Sequence, residues 1–193
     1  MAAAEERGIE KNKLIVINNG VDQKLSEQET HVLFKEELFL KYGIDPKSRI
    51  ISGLGRAVKR KGYSWFVQKV LPSLPNDVVF VMCGPISDYG AHWWHQLLPT
   101  AWVNRLALMM GHPTDEPALK VLSKQYSGRF IRTGHMPMSD ILQILKSSEA
   151  FVMPNIKVEG DMEGFGLVAL EAILAGTVVF AAGHEGITDA IHD

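Results

Sequence analysis

A single cysteine, Cys83, occurs in the chain, inside the apolar run "VVFVMC", so no disulfide can form within it and packing alone must hold the fold. The expected role of Cys83 is that of a small buried hydrophobe. Long apolar stretches are also missing. No run approaches the ~20 residues of a membrane span, and the opening "MAAAEERGIEKNK" lacks the apolar centre of a secretion signal. Nor is there an excess of one charge: 20 Lys and Arg against 22 Asp and Glu leave a formal net charge of -2. That argues against a nucleic-acid-tracking surface, which shows a basic excess. Repeats and low-complexity segments are absent too. What remains is an ordinary globular chain of 193 residues, long enough for one well-cored domain, with the cytoplasm as its expected compartment.

What is present is an alternation of short β-branched runs with longer amphipathic ones. Strands are expected at 13–19, 49–55, 77–84, 129–134, 150–155 and 177–183, most of them continuous apolar runs of the kind covered on both faces. Helices are expected over "ETHVLFKEELFLKYG", "YSWFVQKVLPSL", "MSDILQILKSS" and "GLVALEAILAG", the first ending on Gly43, the last on Gly176, and the second disturbed at Pro72. Residues 88–128 read less clearly, as helix over "AHWWHQLLPTAWVNRLALMM" and again over "ALKVLSKQY". Strands alternating with helices predict an α/β fold: a Rossmann-like open parallel sheet flanked by helices.

In such sheets ligands bind at the carboxyl ends of the strands. Two loops there carry chemistry. "GLGRAVKRKG" sets Gly53 and Gly55 at a turn, then Arg56, Lys59, Arg60 and Lys61 before a helix near Gly62, a composition suited to a small anion such as phosphate or, more plainly, to a solvated basic edge. It has neither the Walker spacing nor the third glycine of a dinucleotide fingerprint, where Val58 stands. "DMEGFGLVALEA" places Glu163 and Glu171 eight positions apart around Gly164, Phe165 and Gly166, at most ~12 Å along a helix axis. Two carboxylates at that reach can hold hydroxyls at two ends of one polar ligand, with backbone N–H groups between them. The plainer alternative makes Glu163 a first-turn acid and Glu171 a surface residue.

With those residues in view, the sequence resembles the retaining glycosyltransferases of family 4, whose fold is the two-domain GT-B arrangement. "EGFGLVALEA" is similar to their E-x7-E motif, "INNGVD" to their Asn-Gly-Val-Asp, and "GLGRAVKRKG" to their Gly-Arg followed by Lys-Gly; "VMCGP", "TGHMP" and "FVMPN" fall where the family ends its next three strands. The resemblance covers about residues 13–191. It implies a donor-binding C-terminal half: 1–12 as remnant of an inter-domain segment, 13–193 as a nucleotide-sugar-binding domain truncated at its C-terminal end. It further implies that Arg56 and Lys61 hold the diphosphate beside Gly55. Glu171 takes the ribose, Glu163 with Gly164, Phe165, Gly166 and Leu167 takes the sugar and adjacent phosphate, and Met136 marks the base region. The expected donor is a UDP-, GDP- or ADP-sugar. No cofactor and no metal are expected, since Asp-x-Asp is missing and His92 with His95 has no third ligand. The acceptor, and any peripheral membrane association, would belong to a longer chain. In this sequence "NIKVEGDM" lengthens the approach to Glu163 and adds Glu159 and Asp161. Two competing readings are a phosphorylase or epimerase of the same fold, and a non-catalytic module with Trp93 and Trp94 as partner surface. His135 and His184 are expected on ligand-facing loops, Asn19 and Asp22 in a turn, and Asp189 on a helix surface.

Overall fold

The computed structural model describes residues 8–15, 17, 19–21, 32–86, 102, 115–159, 161–184 and 186–191. In chain order it contains α1 (Val32–Lys41), β1 (Arg49–Leu54), α2 (Tyr63–Lys69), β2 (Val78–Cys83), α3 (Glu116–Gln125) and β3 (Phe130–Gly134). There follow α4 (Met138–Ser147), β4 (Ala150–Met153), α5 (Leu167–Leu174), β5 (Val178–Ala181) and α6 (Ile187–Ala190). The five strands are parallel and ordered β3-β2-β1-β4-β5, with Arg49 opposite Val78 and Ala150 opposite Val178.

Period-two alternation sorts side chains onto two buried faces. Phe80 and Met82 of β2 pack with Tyr63, Phe66 and Val67 of α2 and Leu119 and Leu122 of α3. Val79, Val81 and Cys83 turn to the opposite face, against Leu38 and Phe39 of α1 and Ile144 of α4. On that same side Phe151 and Met153 of β4 meet Ala169 and Ala172 of α5 and Ile187 of α6. Each large side chain so buried contributes about 1.5–3 kcal/mol. Cover on both sides is why all six residues of β2 are buried, and why these strands read as continuous apolar runs. Cys83 is buried as expected, and burial pushes its thiol up to about 12.

The Rossmann-like parallel sheet is therefore as predicted, with one correction. Among the described residues the expected strand at 13–19 is not seen: Lys11–Lys13 is a single 3-10 turn, and none of Leu14, Ile15, Ile17 and Asn19 is paired in a sheet. Ile15 and Ile17 are 84% and 81% exposed, so the β-branched run has intrinsic preference but no surface to pack on. Pro72 falls in a 3-10 turn, Leu71–Ser73, that follows the end of α2. In the ambiguous stretch 88–128, the later helix is present as α3; the earlier one, with His92, Trp93, Trp94 and His95, lies outside the described residues, of which only Trp102 in that run is seen, as helix. Among the described residues no helix is long and apolar enough to cross a membrane.

Chain order decides where a site can lie. From β1 the chain steps outward through α2, β2, α3 and β3; α4 then returns it across β1, where β4 and β5 are laid on the other side. β1 and β4 are neighbours from which the chain runs on to opposite sides of the sheet, so the loops after them lie at the switch point, where such sheets bind ligands.

Candidate functional site

Both loops singled out in the sequence leave the strands of that switch point. Tyr63 at the start of α2 donates its hydroxyl to the carbonyl of Leu54 (2.9 Å), fixing the helix to the end of β1. Gly62, with φ of +68°, lies so near the β4 loop that a Cβ there would sit 2.0 Å from the Pro154 carbonyl oxygen. Two residues away on each loop, the amide of Ile156 donates to the carbonyl of Arg60 (2.8 Å). Backbone thus touches backbone, and the basic residues of one loop face the acids of the other.

Their side chains form a four-membered ionic network. Lys61, only 7% exposed, places Nζ 2.8 Å from Oε2 of Glu163. Arg60 donates through Nε to Asp161 Oδ1 (2.8 Å) and through Nη1 to the same Glu163 oxygen. Asn155 adds Nδ2 at 3.1 Å from that oxygen, while its own Oδ1 is buried with no hydrogen-bond partner among the described residues. Burial alone would push the Glu163 carboxyl up; Lys61, Arg60 and Asn155 together outweigh it and hold the group below the usual carboxylate range. Glu163 is therefore an anion at neutral pH, held by two cations and an amide.

Glu171 has the opposite environment. It lies within α5, half-buried, and burial pushes its carboxyl above the usual range, with no cation among the described residues opposing it. Between the two glutamates, Gly166 begins α5 at φ +78°, and Gly164 is pressed against the start of α6: a Cβ on Gly186 would meet the Gly164 carbonyl oxygen at 1.5 Å. Phe165 is half-buried and Leu167 is 37% exposed. His184, after β5, puts Nε2 3.0 Å from the carbonyl oxygen of Asn155, while His135 is exposed.

Of the residues expected at a ligand site, the structure brings Lys61 and Glu163 into contact, with Gly55 beside the lysine stem: a Cβ there would be 3.4 Å from Lys61 Cε. Arg56 is exposed on the same loop. Met136 is buried after β3 among Val81, Cys83 and Ile144, away from the carboxylate network. The start of α2 differs from the expected anion cradle. Asp115 occupies it: Oδ2 accepts from the Ser64 amide (3.3 Å) and Oδ1 from the Ser64 hydroxyl (2.8 Å), while the Asp115 amide donates to Ala57 (3.0 Å). Sequence reading missed Asn155 and the pairing of Arg60, which it placed in a basic cluster or on a solvated edge. The pairing partners lie 101 and 103 positions away, so no local signal reports them. Among the described residues no three His, Cys, Asp or Glu side chains converge as metal ligands.

A parallel α/β sheet with helices on both faces, and two cations paired with two carboxylates at its switch point, defines a Rossmann-like domain. Residues 34–193 match the family described as glycosyl transferases group 1, and the chain belongs to that family. Among solved structures it is similar to HepE of Anabaena, crystallised with UDP and glucose, at 20% identity and TM-score 0.69 over 100% of this chain and 44% of that one. A glycosyltransferase from Rickettsia africae gives 20%, 0.68, 96% and 42% in the same terms. Sucrose-phosphate synthase of Thermosynechococcus elongatus gives 20%, 0.55, 88% and 35%. The chain thus spans less than half the length of these proteins, and they share its fold. No curated protein gives a significant sequence match.

Proposed function

We propose that this chain is the donor-binding domain of a retaining, family 4 glycosyltransferase of GT-B type that takes sugar from a nucleoside-diphosphate sugar. The observation that carries the reading is the meeting of Lys61, Arg60 and Glu163 at the β1/β4 switch point, within a domain of glycosyl transferases group 1. HepE, crystallised with UDP-glucose, supports a nucleotide sugar as the ligand class. Glu171 accepts the ribose hydroxyls, Glu163 a hydroxyl of the donor sugar, and the backbone of Gly164 to Gly166 lies along the phosphates. Arg56 and Lys61 stabilise the negative charge that builds on the leaving diphosphate, a contribution that grows toward the transition state and so accelerates the step. Within the network Lys61 is the cation placed to divide its attraction between Glu163 and an incoming phosphate. We read the reaction as metal-independent, the acceptor as bound by a domain outside residues 13–193, and the chain alone as a binder without transfer activity.

Calorimetric titration with UDP, GDP, ADP and their sugar conjugates tests this, in buffer with and without EDTA. The expected result is binding of one nucleotide series, unaffected by EDTA, weakened in Arg56→Ala and Glu171→Ala and unchanged in His95→Ala. A folded sample that binds no member of the panel sinks the reading.

A further inference from the structure

We propose that Arg60 and Asp161 are positioning residues that set the orientation of Glu163 toward the donor sugar, and thereby the preference for a sugar-bearing nucleotide over the bare nucleoside diphosphate. This rests on the donor-binding reading above and adds to it two residues outside the E-x7-E pair and the Arg56 and Lys61 assignments.

In the segment before α5, exposure alternates from residue to residue. Met162 points outward at 60% exposure, while Asp161 and Glu163 on either side of it turn inward toward residue 60. The Arg60 guanidinium meets both carboxylates at once, Nε on Asp161 and Nη1 on Glu163. All three side chains are sheltered, at 14%, 19% and 12% exposure, so water screens the contacts only partly. The fork has fixed geometry: with Asp161 engaged on one nitrogen, the direction of the other toward Glu163 is set. Asp161 is itself anchored, its amide donating to Val158 (3.1 Å), and Arg60 is anchored by the Ile156 amide on its carbonyl (2.8 Å). Glu163 is therefore held through a chain of positioned groups running from the β4 loop through Arg60.

Charge makes the arrangement sensitive. Two cations and two anions balance in the network. Taking away the Asp161 charge leaves two cations on one carboxylate; Arg60 is then free to move fully onto Glu163, and the hydroxyl-accepting capacity of that carboxylate falls. In the proposed site only the sugar end of the ligand meets Glu163, while ribose and diphosphate rest on Glu171, Arg56 and Lys61. Loss of the Arg60–Asp161 pair should thus cost the sugar-dependent part of the affinity and leave the rest.

The test compares UDP with UDP-glucose, GDP with GDP-glucose and ADP with ADP-glucose on the 193-residue chain, taking the series that binds. In Asp161→Asn and in Arg60→Lys, which keeps the charge but loses the fork, the affinity ratio of sugar conjugate to diphosphate should fall about tenfold. Diphosphate affinity should stay within about twofold, and Asp161→Glu should recover much of the ratio. Thermal melts and circular dichroism establish that each variant is folded; if one is not, the other carries the comparison. Equal weakening of both ligands, or an unchanged ratio, overturns the proposal while leaving nucleotide binding standing. Failure of the parent chain to bind any nucleotide overturns the donor-binding reading and this inference with it.

Discussion

Glu171 is half-buried on α5, its carboxyl pushed up by burial and with no cation against it among the described residues, which is a costly way to place an anion in a fold. A group retained at such a cost for packing alone would be replaceable at no loss; one retained for a ligand would not. Glu171→Gln is therefore expected to leave the thermal midpoint unchanged or slightly higher, because the penalised charge is gone. Nucleotide affinity should drop about tenfold, because a neutral amide is a weaker acceptor for two hydroxyls. Differential scanning fluorimetry and calorimetry on one sample read both effects. A lower midpoint together with unchanged affinity would return Glu171 to a structural role. Glu163 is the contrasting case: its charge is already balanced by Arg60 and Lys61, so its replacement disturbs the fold as well as the site.

At the scale of elements, the loops after β1 and β4 are locked by backbone contact. Gly62 is the point where that contact leaves no room: φ is +68° and a Cβ would lie 2.0 Å from the Pro154 carbonyl oxygen. Gly62→Ala is expected to cost about 2–4 kcal/mol in urea unfolding, because either loop must shift to relieve the overlap. The start of α2 depends on Asp115, since Gly62 offers no capping side chain. Asp115→Ala should cost about 1–2 kcal/mol and speed hydrogen exchange at the Ser64 amide, with Asp115→Asn recovering part of it. These two contacts also explain what the sequence could and could not announce. β2 and β4 were legible because each is an apolar run covered on both sides, and β1, β3 and β5 as shorter β-branched or aromatic runs between turn residues, although β5 leaves Val178 and Phe180 exposed. In the run at 13–19, Ile15 and Ile17 are the same residue types without the cover, and propensity alone could not tell the difference. Lys61 and Glu163 were legible as charged residues at the carboxyl ends of β1 and β4, and Glu171 as a helical residue eight positions beyond Glu163. The Arg60 fork, the Asn155 amide and the Asp115 cap were not, because each joins segments 8 to 103 positions apart through geometry that exists only once the sheet is ordered β3-β2-β1-β4-β5.

For the whole molecule, that strand order brings the oppositely charged loops together, so acid should act on fold and site at once. Glu163, Asp140 and Glu149 are all held below their ordinary values: burial works against Glu163 and Asp140, but Lys61 with Arg60 and Lys41 with Tyr42 outweigh it, while Arg49 holds Glu149. A depressed carboxyl contributes stability that is complete above its ordinary value, 4.5 for Glu163 and Glu149 and 3.8 for Asp140, and is lost as pH falls through the lower folded value. Asp115 and Glu171 are raised by burial and run the other way: the folded chain takes up their protons first, so mild acidification favours the fold before the ordinary carboxylate range is reached. Glu149 is on the exposed surface and its pair weighs little, which leaves Glu163 as the main source of acid sensitivity at the site. Urea midpoints measured at about pH 7, 5, 4 and 3 should therefore hold or rise slightly at first and then fall. In Glu163→Gln the midpoint at neutral pH should be lower, since Arg60 and Lys61 lose their shared carboxylate, and the fall below pH ~4.5 should be shallower because one of its contributors no longer titrates. An acid limb of the same steepness in Glu163→Gln and the parent would mean that the switch-point network, although assembled by the fold, does not govern its stability in acid.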